Sequence, residues 1–175
     1  MLLRKRIFYG ILATAFSILL VSCPGSADLA EGGTFTHDDT TYVIDSVELW
    51  DTGANVSEGS HSWSLYVISG DLSLMDVTGS GDYLYFDINT PSENEIAYSY
   101  SMQPDREAGS ITNASLYTGV SAGFGYENQY IIETGTASIE VEGENFTING
   151  NFQVYDAYGG GEITVTFSGT VRREE

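Results

Sequence analysis

Apolar and polar residues alternate with period two through most of this chain, and most cleanly in its last third. Ala137, Ile139 and Val141 interleave with Ser138, Glu140 and Glu142. Phe146, Ile148, Phe152 and Val154 face away from Thr147, Asn149, Asn151 and Gln153. Ile163, Val165, Phe167 and Val171 do the same against Thr164, Thr166, Ser168 and Thr170. Successive side chains of a strand point to opposite faces, so each run buries one face and wets the other. Gly143-Glu144 and Gly159-Gly160-Gly161 supply the turns, which makes the three runs sequential strands of an antiparallel meander. Phe146, Ile148, Phe152, Ile163, Val165 and Phe167 are thereby expected in the core.

Earlier segments follow the same rule. Val43, Val47 and Leu49 are expected on one face, as are Trp63, Leu65 and Val67, then Leu84, Phe86 and Ile88, then Ile96, Tyr98, Tyr100 and Met102. Weaker strands are expected at Thr34 to Thr36, Leu72 to Val77, Ile111 to Leu116 and Tyr130 to Glu133. Helical periodicity is missing after residue 22. The fold class is therefore all-β, one antiparallel domain of roughly eight to ten strands over residues 34–175. Such strands need closure into a barrel or a partner sheet to cover their apolar faces. Because sequential hairpins dominate and no long crossover intervenes, a lipocalin-like up-and-down barrel is favoured over a two-sheet sandwich.

The start of the chain has another character. Arg4-Lys5-Arg6 precede an apolar run from Ile7 to Leu20 that closes in Leu20-Val21-Ser22-Cys23. A basic start, a short apolar stretch and small residues at its end make up a secretory leader. The run is shorter than the roughly 20 apolar residues a membrane-crossing helix needs. Leu20 to Cys23 resembles the lipobox of bacterial lipoproteins. That resemblance implies cleavage of residues 1–22 and acylation of Cys23, which heads a flexible tether over 23–33. With Pro24 and no aspartate after the cysteine, it also implies the outer membrane as the site of anchoring in the cell envelope. Cys23 is the only cysteine, so an intramolecular disulfide is excluded, and stability outside the cytoplasm must come from the core.

All 25 acidic residues follow Cys23, whereas Arg4, Lys5 and Arg6 precede it; the remainder carries three arginines against 25 carboxylates, a formal −22. Phosphate binding requires a basic surface, so nucleic acid is excluded as a partner. The acids are dispersed along strand faces and loops. This is the pattern of a solubilising surface, favoured over a cation-recruiting face, with its self-repulsion screened by salt over about 10 Å.

Catalytic motifs are missing. His37-Asp38-Asp39 cannot all reach one ion, because neighbours on an extended strand point to opposite faces; a polar turn is expected there, and no metal or other cofactor. His61 has neither a cysteine partner nor a Gly-x-Ser-x-Gly elbow. Aromatic residues are the remaining signal, with 12 tyrosines beside 8 phenylalanines and 2 tryptophans. Tyr66 stands opposite Trp63, Leu65 and Val67, while Tyr83 and Tyr85 stand opposite Leu84, Phe86 and Ile88. If these strands are neighbours, the three tyrosines form a stacking platform outside the sheet. Asp87 would then be a hydrogen-bond acceptor beside it, an arrangement that suits a neutral sugar.

The segment Gly81-Asp82-Tyr83-Leu84-Tyr85-Phe86-Asp87-Ile88, together with Gly135-Thr136-Ala137-Ser138-Ile139-Glu140-Val141 through Gly169-Thr170-Val171, resembles uncharacterised all-β lipoproteins of Bacteroidota. No activity comes with that resemblance. The expectation is a membrane-anchored, non-enzymatic binding or scaffolding module. Its alternatives are a carrier of a small apolar ligand inside the barrel and, third, a hydrolase.

Overall fold

A computed structural model describes residues 32–123 and 125–174; Cys23 and the lipobox lie outside the described residues. Eleven strands form one sheet, and the helical content of the described residues is a single 3-10 turn, Asp156–Tyr158. The strands are β1 (Gly32–His37), β2 (Thr40–Ile44), β3 (Ser46–Asn55), β4 (Ser60–Gly70), β5 (Ser80–Thr90), β6 (Ser99–Met102), β7 (Ser110–Ser121), β8 (Asn128–Glu142), β9 (Asn145–Val154), β10 (Glu162–Thr170) and β11 (Arg172–Glu174). Their order is β11-β3-β4-β5-β7-β6-β8-β9-β10-β1-β2. The first strand starts at Gly32, inside the stretch expected to be tether.

The linear order rolls up. β2 runs directly into β3 through Asp45, and β10 runs into β11 through Val171, yet in each pair the two strands sit toward opposite margins of the sheet. Asp45 holds the bend: its N–H donates to Ile68 O at 2.9 Å and its carboxylate accepts from Gly70 N at 2.7 Å. A sheet joined to itself near both margins must curl, and curling leaves few free edges. The result is a barrel-like all-β domain with one continuous sheet, as the sequential hairpins lead one to expect.

Every strand from β1 to β10 contributes to a single core. Phe86 of β5 and Phe152 of β9, which are not neighbours in the sheet, bring their ring centroids to 5.0 Å across the interior. All six terminal-meander residues expected in the core are buried, from Phe152 and Ile163 at 0% to Phe167 at 7% exposure. Gly150 falls on the inward side of β9, where a Cβ would lie 2.6 Å from Phe152 Cε2. The missing side chain gives the Phe152 ring its space.

Four local expectations change. Val43 is exposed, not buried, because the bend at Asp45 slips the alternation by one residue; Ile44 points inward in its place. Leu72 to Val77 is not a strand. It belongs to a loop closed by a Ser73–Thr78 bridge, with Val77 at φ 53°, a left-handed conformation incompatible with strand geometry. Tyr130 to Glu133 is no separate strand but the start of β8, whose bulge between Ile132 and Thr134 flips the inward parity from even to odd residues. Tyr98 lies just before β6 and is exposed instead of sharing the buried face of Tyr100. β6 itself wedges between β7 and β8 where they separate, parallel to the former and antiparallel to the latter.

Candidate functional site on the outer aromatic face

The register of β3, β4, β5 and β7 decides which outward side chains meet. Tyr66 pairs with Glu48 and Tyr85, Ile68 pairs with Tyr83, and Tyr83 pairs with Tyr117. On one face of an antiparallel pair, opposed and diagonal residues are within reach of aromatic rings. The Tyr66 centroid accordingly lies 5.8 Å from that of Tyr83 and 5.3 Å from that of Tyr85. The three tyrosines named from the sequence are together.

The platform extends beyond them. Trp50 of β3 continues it on one side, its ring 5.4 Å from Tyr66. On the other side Tyr83 stacks on Tyr117 at 4.8 Å, and Tyr117 meets Tyr126 edge to face at 4.9 Å. Trp50 was within reach of sequence reasoning, since it alternates with Val47 and Leu49. Tyr117 and Tyr126 were not, because nothing local places β7 beside β5.

Two loops bracket this face. At one end the 71–79 loop folds back, so that Leu72 and Ile68 make a small satellite core with Val120 against Tyr66, Tyr83 and Tyr117. Under the same loop the Glu48 carboxylate is buried and accepts from Ser73 Oγ and Met75 N, both at 3.1 Å. Arg172 of β11 ties the arrangement down, donating to Asp76 Oδ2 at 2.8 Å. That pairing holds the Asp76 carboxyl below its ordinary range.

At the other end Arg106, from the segment between β6 and β7, lies across the sheet. Its Nη2 donates to Asp87 Oδ2 at 2.7 Å, and its Nη1 donates to Ser62 Oγ at 3.1 Å. Thr112 Oγ1 also donates to Asp87 Oδ2, at 2.9 Å. Asp87 is therefore on the expected face but buried and already partnered, so it does not stand free as an acceptor. What it does is hold Arg106. Beneath the arginine, Ser62 and Asn55 donate to Asn89 Oδ1, and Asn89 donates in turn to Ser110 Oγ at 3.0 Å.

The rings are half-buried, and burial raises the pKa of Tyr66, Tyr83 and Tyr85 above the ordinary value of 10.0. The Ser64 hydroxyl beside Tyr66 and Tyr85 partly offsets that effect. All three are neutral phenols at physiological pH, able to donate and to accept.

Both histidines lie at margins of the interior. His37 packs on Tyr130 with centroids 4.4 Å apart, and its Nε2 lies 3.1 Å from Gly160 O, a partner that only a protonated nitrogen satisfies. His61 Nε2 donates to Asp51 Oδ1 at 2.7 Å beside Trp63. Among the described residues, no serine, threonine or cysteine side chain hydrogen-bonds the His61 ring, and no group of three or more His, Cys, Asp or Glu side chains is placed to hold a metal ion. No described helix is long and apolar enough to cross a membrane.

The chain matches no family model, no curated protein and no solved structure.

Proposed function

We propose that this domain is a non-catalytic binding module, anchored in the outer membrane through an acylated Cys23, that holds neutral glycans on its aromatic face. The observation that carries the reading is the joined set of rings from Trp50 through Tyr66 and Tyr83 to Tyr117, fixed on rigid strands between two loops. Sugar rings stack on such surfaces through their C–H faces, while phenol hydroxyls at the edge serve the sugar hydroxyls. Arg106 and Asp87 neutralise one another at the rim, and the surrounding carboxylates disfavour anionic polymers. A filled interior, with Phe86 against Phe152 at its centre, weighs toward a ligand outside the barrel over the apolar carrier. Among the described residues no hydroxyl or thiol side chain hydrogen-bonds the His61 ring of the His61–Asp51 pair, which weighs against the hydrolase. Two or more acyl chains give stable anchoring where one does not, so lipidation at Cys23 would keep the module on the membrane.

The test is a neutral-glycan array probed with wild type and a Tyr83→Ala, Tyr85→Ala double variant. Aromatic stacking is worth about 0.5–1.5 kcal/mol per ring, so the double variant is expected to bind about 5- to 150-fold more weakly. Equal binding by the variant, or no glycan held by the wild type, overturns the reading.

A further inference from the structure

A groove on the described surface lies away from the tyrosines of the aromatic face. It measures about 650 Å³ and runs across β6, β8, β9 and β10 on the outside of the sheet. Register explains its shape. Ser138, Asn149 and Thr166 form one row across three strands, and Thr136, Asn151 and Thr164 form another, two residues further along each strand. Between the rows stand Ala137, Gly150 and Val165, which alternate inward and leave a floor of backbone. The rows are about 7 Å apart and their members about 5 Å apart, as strand geometry requires. A second groove of about 510 Å³ adjoins it, reusing Asn149 and Thr166 and reaching Thr34.

Charge sets this face apart. With 25 acidic residues in the chain, none lines either groove. Glu162 stands at the rim, and Asn151 Nδ2 donates to its Oε1 at 2.6 Å. Every polar side chain lining the two grooves is a hydroxyl or an amide, a group that both donates and accepts. A cationic partner would settle on the carboxylates instead, and an anionic one is repelled by them. Peptides are recognised at strand edges, in apolar grooves, on proline-stacking aromatics or by arginine clusters, and this groove offers none of the four. An extended, uncharged chain that carries hydroxyls on every unit matches two parallel rows of neutral donor-acceptors.

We propose that this groove is a second binding face, for an extended neutral polysaccharide. It lies opposite the aromatic face: Phe86 of β5 and Phe152 of β9 meet across the interior, so the outer sides of those strands point away from each other. One domain then bridges two chains. The bridging rests on the aromatic-face reading; the groove's own binding does not.

Retention of the full chain, held in detergent micelles, on amorphous cellulose, chitin and mannan tests this, with polygalacturonate as the charged comparison. Asn149 and Asn151 are exposed, so an Asn149→Ala, Asn151→Ala variant keeps the core, and Thr166→Arg, at another exposed position, fills the groove by an independent route. In a Tyr83→Ala, Tyr85→Ala background, either lesion is expected to weaken retention at least tenfold. Wild type, but neither double variant, is expected to cross-link soluble mannan into a turbid suspension. Retention that both groove lesions leave unchanged overturns the proposal while sparing the aromatic face. Loss of all retention with the tyrosine variant alone overturns it as well. Equal retention on polygalacturonate refutes the charge reasoning on which the choice of ligand stands.

Discussion

Replacing Phe152 with alanine removes the ring at the centre of the barrel-like core. It is fully buried and meets Phe86 at 5.0 Å. Withdrawing a phenylalanine side chain from water contributes about 1.5–3 kcal/mol, and the aromatic pair adds about 0.5–1.5 kcal/mol. The vacated space has little means to collapse, because Gly135 and Gly150 press backbone directly on the ring: a Cβ at Gly135 would come within 2.2 Å of Phe152 Cδ1. Substitutions of this kind cost about 3–5 kcal/mol, with more where neighbours cannot relax, so a loss of about 4–5 kcal/mol is expected. At a urea slope of about 2 kcal/mol per molar, the midpoint should fall by about 2 M. Trp50 and Trp63 provide the fluorescence signal. Val43→Ala is the internal control, since Val43 is 61% exposed and its truncation should cost less than about 0.5 kcal/mol. A Phe152→Ala midpoint within about 0.5 M of wild type, or a Val43→Ala loss of similar size, would refute the assigned core and the slip at Asp45.

Arg106→Ala should cost about 1–3 kcal/mol by leaving Asp87 with Thr112 as its remaining side-chain donor, at the low end because the arginine side chain is 44% exposed; adding Asp87→Asn should recover part of the loss, and urea melts of the two variants decide it. Burial raises the pKa of Tyr66, Tyr83, Tyr85 and Tyr100 in the folded state, so their contribution is full below the ordinary value of 10.0 and is lost as pH rises past it. Urea midpoints should therefore hold between about pH 7 and 9 and fall above about 10; a midpoint unchanged at high pH contradicts the burial of these phenols. Cys23→Ala should shift the protein from the membrane fraction to the soluble fraction and abolish fatty-acid labelling, and labelling that persists disproves the anchor.

The period-two alternation by itself determined the class of the fold and the inward face of most strands, because a pleated strand has only two faces and water sorts the side chains between them. Phe146, Ile148, Phe152, Ile163, Val165 and Phe167 were legible for that reason, as was the shared side of Tyr66, Tyr83 and Tyr85. What alternation cannot carry is any event that changes parity or brings distant segments together. The slip at Asp45 and the bulge at Ile132 to Thr134 arise where the sheet bends, and Leu72 to Val77 leaves strand geometry because it forms the loop that joins β4 to β5. Neighbour order decided the rest. Tyr117 joins the aromatic face only because β7 pairs with β5, Asp87 becomes a partner for Arg106 only because the segment before β7 crosses it, and the neutral groove exists only because β8, β9 and β10 align their hydroxyls and amides in register. Those pairings are settled by the packing of a common core, to which every strand from β1 to β10 contributes at once, and no local stretch of sequence contains that information.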